Sequence, residues 1–298
     1  MRALVVRPGS GSGVALTETP DPPPPAPDEV LVEVRHSSLN FGDVSTIPTA
    51  AAGSVPGWDA SGVVLTPAQN GSGPAAGQRV VTFGYAGAWA GVRVVPVSEL
   101  AVVPESVDLA VAAALPVAGV TALRALRAAG PLLGRRLLVT GASGGVGRFA
   151  VQLAALGGAH VIAVARRGEG LAELGASEVV AGLDGLSPVD VVIENVGGPQ
   201  LIAAWDLVAP GGTLQSIGWT SGEPAQFPPY GTVGPAKSLV SFQAGVAFGA
   251  DLAYLLDLLA RGQLRVDVGW HGSWSRFDEA AAALLGRAVA GKALLNHD

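Results

Sequence analysis

The 298-residue chain contains no cysteine, one methionine and three tyrosines, and only 14% of its residues are charged. Without thiols it can build neither a disulfide framework nor a thiolate metal site. Eighteen basic residues against 24 acidic ones give a net charge of −6, which provides no cationic footprint for a nucleic-acid backbone. Long apolar runs are also missing. The longest, Leu109–Val120, is broken by Pro116 and falls short of the roughly 18 residues a membrane span requires. Near the N-terminus, Arg2 and Arg7 flank a short apolar patch that is too small for the core of a secretory signal, so a cytoplasmic chain with no membrane partner is expected.

What the chain has in abundance is small: 42 glycines, and alanine and valine enough to raise the mean hydropathy to +0.43. This texture suits parallel strands buried on both faces, which read as continuous apolar runs. At about 150 residues per domain, the length suggests two domains. The first third reads as short strands at Arg2–Val6, Val30–Arg35, Ser61–Leu65, Arg79–Phe83 and Val92–Val97, with Pro22–Pro27 as an extended connector. A helical run follows from Asp108 through Leu126. Strands are then expected at Leu137–Thr140, Val161–Ala165, Glu178–Ala181, Val191–Glu194, Thr213–Gly218 and Leu239–Gln243, with helices between several of them. Such alternation predicts an α/β fold with a doubly wound parallel sheet. An amphipathic stretch from Ala244 to Leu259 and a helical run at Phe277–Leu285 lead to an apolar end.

The strand Leu137–Thr140 runs into Gly141-Ala142-Ser143-Gly144-Gly145-Val146-Gly147 and then a helix-like segment through Leu156. A strand, a glycine loop and a helix N-terminus in that order form an anion site, because free N–H groups and the positive end of the helix dipole face the ligand. Gly141, Ser143, Gly144, Gly145 and Val146 are therefore candidate pyrophosphate contacts. A tight turn packed against its own strand is the alternative. In a dinucleotide fold the end of the next strand meets the ribose 2′ position. Here that strand ends in Arg166-Arg167 with no carboxylate, and guanidinium groups suit a phosphate, so NADPH is expected over NADH. The loop also fits a short-chain reductase, but that reading needs a Tyr-x-x-x-Lys pair. Four places beyond Tyr85, Tyr230 and Tyr254 stand Trp89, Gly234 and Leu258.

Six segments together resemble the medium-chain dehydrogenase/reductase superfamily, in its zinc-free quinone oxidoreductase and enoyl reductase branch. They are Leu39–Asp43, Gly57–Gly62, Leu115–Ala122, the glycine loop, Glu194–Gly198 and Gly291–Leu295. The resemblance implies a β-rich GroES-like catalytic domain from residues 1–117 and 245–298, with a Rossmann NADPH-binding domain at 118–244. It also places Asn40 where zinc relatives carry a cysteine ligand, and Gly57-Trp58-Asp59 where they carry Gly-His-Glu. The four histidines, at 36, 160, 271 and 297, show no ligand spacing, so no metal is expected.

Without a Lewis acid, conjugated acceptors are favoured, because the charge that develops on oxygen can be met by hydrogen bonds. The expected reaction is hydride transfer from NADPH to a quinone or α,β-unsaturated carbonyl. Asn40 would face the substrate carbonyl or the nicotinamide, or else cap a turn. Thr121 would sit near the nicotinamide, and Tyr85 would donate to the enolate oxygen or simply pack. Asn195, Gly197, Ile217, Gly218 and Lys292 complete the expected cofactor contacts. Two departures stand out: the loop between Val44 and Val55 is short and lacks a tyrosine, and only eight residues separate Val180 from Val189. The alternatives are a pathway-specific tailoring enoyl reductase and a non-catalytic NADPH-binding sensor or structural protein. The resemblance further implies a homodimer through strand Leu239–Gln243.

Overall fold

The computed structural model describes residues 1–298, and the chain divides into two compact units, Met1–Val120 with Gly245–Asp298, and Thr121–Ala244. In the first unit, β1 (Arg2–Val6) and β2 (Val14–Glu18) form a hairpin. They are followed by β3 (Glu29–Leu39), a short helix α1 (Phe41–Ser45), β4 (Asp59–Thr66), β5 (Arg79–Phe83), β6 (Val92–Pro96) and β7 (Leu100–Val102). The helical run expected after Asp108 is split by Pro116 into α2 (Leu109–Ala112) and α3 (Pro116–Ala128). Proline lacks an N–H and fits a first helical turn, so it starts the second helix.

The second unit consists of β8 (Arg136–Val139), α4 (Gly145–Leu156), β9 (His160–Val164), β10 (Glu178–Val180), β11 (Val189–Glu194), α5 (Gly198–Asp206), β12 (Val208–Ser216) and β13 (Ser238–Ser241). All six strands run parallel in the order β10-β9-β8-β11-β12-β13. Leu137, Leu138, Val191, Val192 and Ile193 are wholly buried, as central strands covered on both faces require. Between β10 and β11 the chain makes turns and bends with no helix.

The chain then returns to the first unit through α6 (Gly249–Ala260), β14 (Val268–Ser273), α7 (Phe277–Leu285) and β15 (Lys292–Asn296). There a seven-stranded sheet takes the order β14-β15-β3-β4-β5-β7, with β6 pairing β3 off that path. The long strand β3 alternates in its first half, burying Val30, Val32 and Val34, and stays buried through Ser37, Ser38 and Leu39. The apolar C-terminal end is therefore a strand, β15, laid antiparallel on β3 so that Ala293 faces Leu39. No helix is long and apolar enough to cross a membrane.

Just beyond β15, the ring of His297 stacks on Trp274 at 4.2 Å and meets the Ser37 hydroxyl at 2.9 Å. Burial, with a smaller contribution from nearby His36, pulls its pKa from 6.5 down to about 3. The native state therefore holds His297 neutral while the unfolded chain would protonate it, so this contribution to stability is complete above 6.5 and is lost as pH falls toward 3. In thermal melts across that range, His297→Gln is expected to flatten the acid decline in Tm; an unchanged slope would count against it.

Candidate functional site

In the second unit the strand order is the 3-2-1-4-5-6 arrangement, whose reversal point falls between β8 and β11 and whose crevice lies beyond the strand ends. β8 runs directly into Thr140, and β11 ends in Glu194. The Glu194 carboxylate is fully buried and accepts three hydrogen bonds: from the Thr140 hydroxyl at 2.9 Å, and from the N–H groups of Val196 and Gly197, each at 2.9 Å. Burial raises its pKa against the opposing effect of these donors. The Thr140 hydroxyl in turn accepts from Asn195 N–H at 2.9 Å. One carboxylate thus fixes both loops that leave the reversal point.

The glycine loop occupies the β8 end. Gly141 has φ +57°, and a side chain on Gly147 would collide with the Gly141 carbonyl oxygen, so the helix can approach the loop only without a Cβ there. Gly144 caps α4, with Gly145 and Val146 in its first turn and Ser143 in the preceding loop. Asn195, Gly197, Ile217 and Gly218 lie on the adjoining loops. The Ile217 and Gly218 N–H groups donate to the Glu194 carbonyl, and a Cβ on Gly218 would collide with Asn195 O. Arg166 and Arg167 are exposed just after β9.

A dinucleotide fits this arrangement. The loop presents backbone rather than side chains, and the amide oxygen Oδ1 of Asn195 is buried with no hydrogen-bond partner although its Nδ2 donates to Thr140 O at 2.9 Å. A buried acceptor left in that condition is costly unless a ligand or water completes it. Thr121 is buried in α3 at the start of this unit.

In the first unit, Asn40 and Lys292 come together in a buried polar cluster. Lys292 Nζ donates to Asn40 Oδ1 at 2.6 Å and lies 3.4 Å from Asp59 Oδ2, with both partners of the ion pair at most 3% exposed. Asn40 Nδ2 donates to Asp59 Oδ2 at 2.9 Å and to Asp43 Oδ2 at 3.3 Å. Ser38 Oγ and Val117 N–H also donate to Asp59. Asn40 thus has both of its donor hydrogens committed to carboxylates, leaving only acceptor capacity, and Lys292 is turned into this cluster rather than toward solvent.

Asp43 accepts the Asn40 N–H at 2.9 Å and braces the start of α1. Burial foremost, and then the neighbouring Asp59 charge, push its pKa up to about 8 against the pull of Asn40 and Lys292. Tyr85 is half exposed; its hydroxyl donates to Gly245 O at 3.1 Å, and its ring packs edge-on to Phe83 and Trp58. Its loop is held by buried Arg93, which donates to Trp58 O, Ala86 O and the Thr82 hydroxyl. Trp89 is wholly buried against Phe277, and Trp219 lies over Gly197.

Sequence reasoning missed the parts played by Asp59 and Glu194, for which no local signal existed; within the cluster only the Asn-x-x-Asp spacing of Asn40 and Asp43 is legible, as that of a helix-start capping pair.

One unit is β-rich and carries a buried charge cluster, and the other is a parallel-sheet unit with a glycine loop at its reversal point, the pair of units found in dinucleotide-dependent oxidoreductases. Residues 26–105 match the alcohol dehydrogenase GroES-like domain and residues 145–261 the zinc-binding dehydrogenase model. The chain belongs to the medium-chain dehydrogenase/reductase superfamily, in its quinone oxidoreductase-like branch. It is 49% identical over 105 residues to the chloroplast envelope quinone oxidoreductase homolog of Arabidopsis thaliana, covering 33% of this chain and 31% of that protein. Alcohol dehydrogenase 1 of Neurospora crassa is 30% identical over 188 residues, 57% of this chain and 53% of the other. The spectinabilin polyketide synthase protein NorB of Streptomyces orinoci is 36% identical over 209 residues, covering 65% of this chain and 10% of that one. The matches therefore span about half the length of these curated relatives or less. Among solved structures, the quinone oxidoreductase of Pseudomonas syringae superposes with a TM-score of 0.88 at 26% identity, with both chains covered completely.

Zinc does not fit the first unit. Asn40 stands where the zinc branch carries a cysteine ligand and Gly57-Trp58-Asp59 where it carries Gly-His-Glu, and the Lys292 ammonium already sits against Asn40 and Asp59, where it would repel a dication. No three His, Asp or Glu side chains are grouped to hold a metal ion.

Lys292→Met would leave the Asp59 charge buried without its counter-ion and is expected to lower the unfolding free energy by about 3–5 kcal/mol in urea titrations. For Asp43, a raised native pKa means that the folded protein keeps a proton which the unfolded chain releases. Its contribution is full below 3.8 and is lost as pH rises through about 8. Asp43→Asn is expected to reduce the loss of stability over that interval; parallel profiles for variant and parent would contradict the assignment.

Proposed function

We propose that the chain is a zinc-independent oxidoreductase that transfers hydride from NADPH to a quinone or α,β-unsaturated carbonyl acceptor. The observation that carries this reading is the commitment of Asn40 and Asp59 to the Lys292 ammonium, which leaves hydrogen bonds as the means of stabilising charge on a substrate oxygen. That is sufficient for an acceptor whose negative charge delocalises, and weak for an isolated ketone.

When bound, the reduced dinucleotide supplies the hydride. The N–H groups around Gly144, Gly145 and Val146 would hold its pyrophosphate, with Gly141 and Ser143 shaping the loop and Asn195 Oδ1 accepting from a ligand donor. Gly197, Ile217 and Gly218 would offer backbone contacts. Arg166 and Arg167 would pair with a 2′-phosphate, which favours NADPH. Thr121 would lie near the nicotinamide. Tyr85 would release Gly245 O to donate to the enolate oxygen, with Tyr85 or water returning the proton. Asn40, its donors committed, would orient the site through its remaining acceptor capacity.

The likeness to NorB favours a second reading, a tailoring enoyl reductase acting on one biosynthetic intermediate. Loss of NADPH absorbance across 1,4-quinones, enones, an enoyl thioester and a simple ketone tests both. Turnover of conjugated acceptors without the ketone is expected; turnover of the ketone would overturn the proposal, and activity confined to the thioester would favour the second reading. Saturable NADPH binding with no oxidation by any acceptor would instead favour a non-catalytic binding protein. Replacing Arg166 and Arg167 together by Ala is expected to weaken NADPH binding by about tenfold or more while leaving NADH nearly unchanged.

A homodimer through β13 belongs to the same proposal. This strand pairs only with β12, all four of its residues are exposed, and an uncapped apolar edge invites a further strand. Leu239→Lys with Val240→Lys is expected to convert a dimer to a monomer in light-scattering measurements, and a dimer that survives the double substitution would exclude this edge.

A further inference from the structure

Arg148 is the fourth residue of α4, and its guanidinium is buried to 8% exposure between two segments that the sequence keeps 26 residues apart. Its Nε donates to the Ser143 carbonyl in the glycine loop at 3.2 Å. Its Nη2 donates to the Glu169 carbonyl at 2.8 Å, in the turn that carries Arg166 and Arg167. Side chains on a helix lean toward its N-terminus, so this position aims a long side chain back at the loop that precedes the helix.

The turn needs such a restraint. Gly168 and Gly170 flank Glu169, Gly170 with φ +78°, and glycine gives the backbone more freedom than any other residue. A planar guanidinium with donors in a fixed fork sets the separation of two carbonyls, which a single rotating ammonium cannot. Its charge also adds to the positive potential at the α4 N-terminus.

We propose that Arg148 is a positioning residue that fixes the spacing between the glycine loop and the Arg166–Arg167 turn, and thereby sets preference for an adenine dinucleotide carrying a 2′-phosphate. The proposal rests on the cofactor reading above. A ligand that engages both segments at once depends on their separation, whereas one that engages only the glycine loop does not.

The test is equilibrium binding of NADPH, NADH, adenosine 2′,5′-bisphosphate and AMP to the purified chain, by calorimetry or fluorescence. The variants are Arg148→Lys, Arg148→Gln, the Arg166→Ala/Arg167→Ala pair, and Arg148→Gln combined with that pair, with circular dichroism verifying that each is folded. Arg148→Lys keeps the charge and loses the fork, so it carries the test even if the glutamine variant is unstable. Both Arg148 variants are expected to reduce the NADPH-to-NADH affinity ratio by about fivefold to tenfold. Once the arginine pair is gone, Arg148→Gln should cost little further discrimination, the non-additivity expected of coupled groups. A wild-type ratio in Arg148→Lys, or equal weakening of NADPH and NADH in both variants, would overturn the proposal while leaving the cofactor reading intact. A parent protein that binds NADPH and NADH equally, and AMP as well as the bisphosphate, would overturn that reading and the proposal with it.

Discussion

The first unit is organised around an ammonium buried against a carboxylate. Removing Lys292 and Asp59 from water is costly, and the pair is tolerable only because nearly every remaining hydrogen-bonding position around it is filled: Asn40, Ser38 and Val117 N–H all converge there. That requirement fixes several parts of the chain together. β15 must lie on β3 to deliver Lys292 beside Asn40, α1 must start at Asn40 so that Asp43 can receive its N–H, and α3 must begin where Val117 reaches Asp59. Burial and the neighbouring Asp59 charge push the pKa of Asp43, at the edge of this cluster, up to about 8.

The second unit solves a different problem with a different carboxylate. Glu194 lies between the ends of two parallel strands and satisfies the donors of the loops leaving them, so the backbone of Val196 and Gly197 is held without help from a sheet. Gly197 and Gly198 both adopt positive φ, and their Cβ positions would meet Trp219 and Ser221. The result is a rigid rim of backbone groups at the reversal point, with the orphaned oxygen of Asn195 among them. Arg148 joins that rim to the neighbouring turn. The shape of this rim thus depends on internal side chains such as Glu194 and Arg148.

Much of this architecture was legible in the sequence. The strands at Arg2–Val6 and Arg79–Phe83 and the helix at Phe277–Leu285 fall where their periodicity puts them, and the six parallel strands follow from alternating apolar runs. Three features were obscure for identifiable reasons. β3 continues through Ser37 and Ser38, whose polarity breaks the alternating pattern although both are buried. β14, with Gly269, His271 and Gly272, has little apolar pattern, and its strand conformation comes from pairing with β15. β12 begins at Val208, before Pro210 and a glycine pair that read locally as a turn.

The sequence by itself determined the two-domain order and the glycine loop with its helix, because each depends on residue types and spacings within short windows. Tertiary structure alone decided what Asn40 can do. Its amide was expected to face the substrate carbonyl or the nicotinamide, or else to cap a turn, and folding ties it to Lys292, 252 positions away, and to Asp59. Local spacing encodes backbone conformation and which face is apolar. Which buried charges meet is set by strand order and register, and in a low-dielectric interior those encounters decide which donors and acceptors remain available for chemistry.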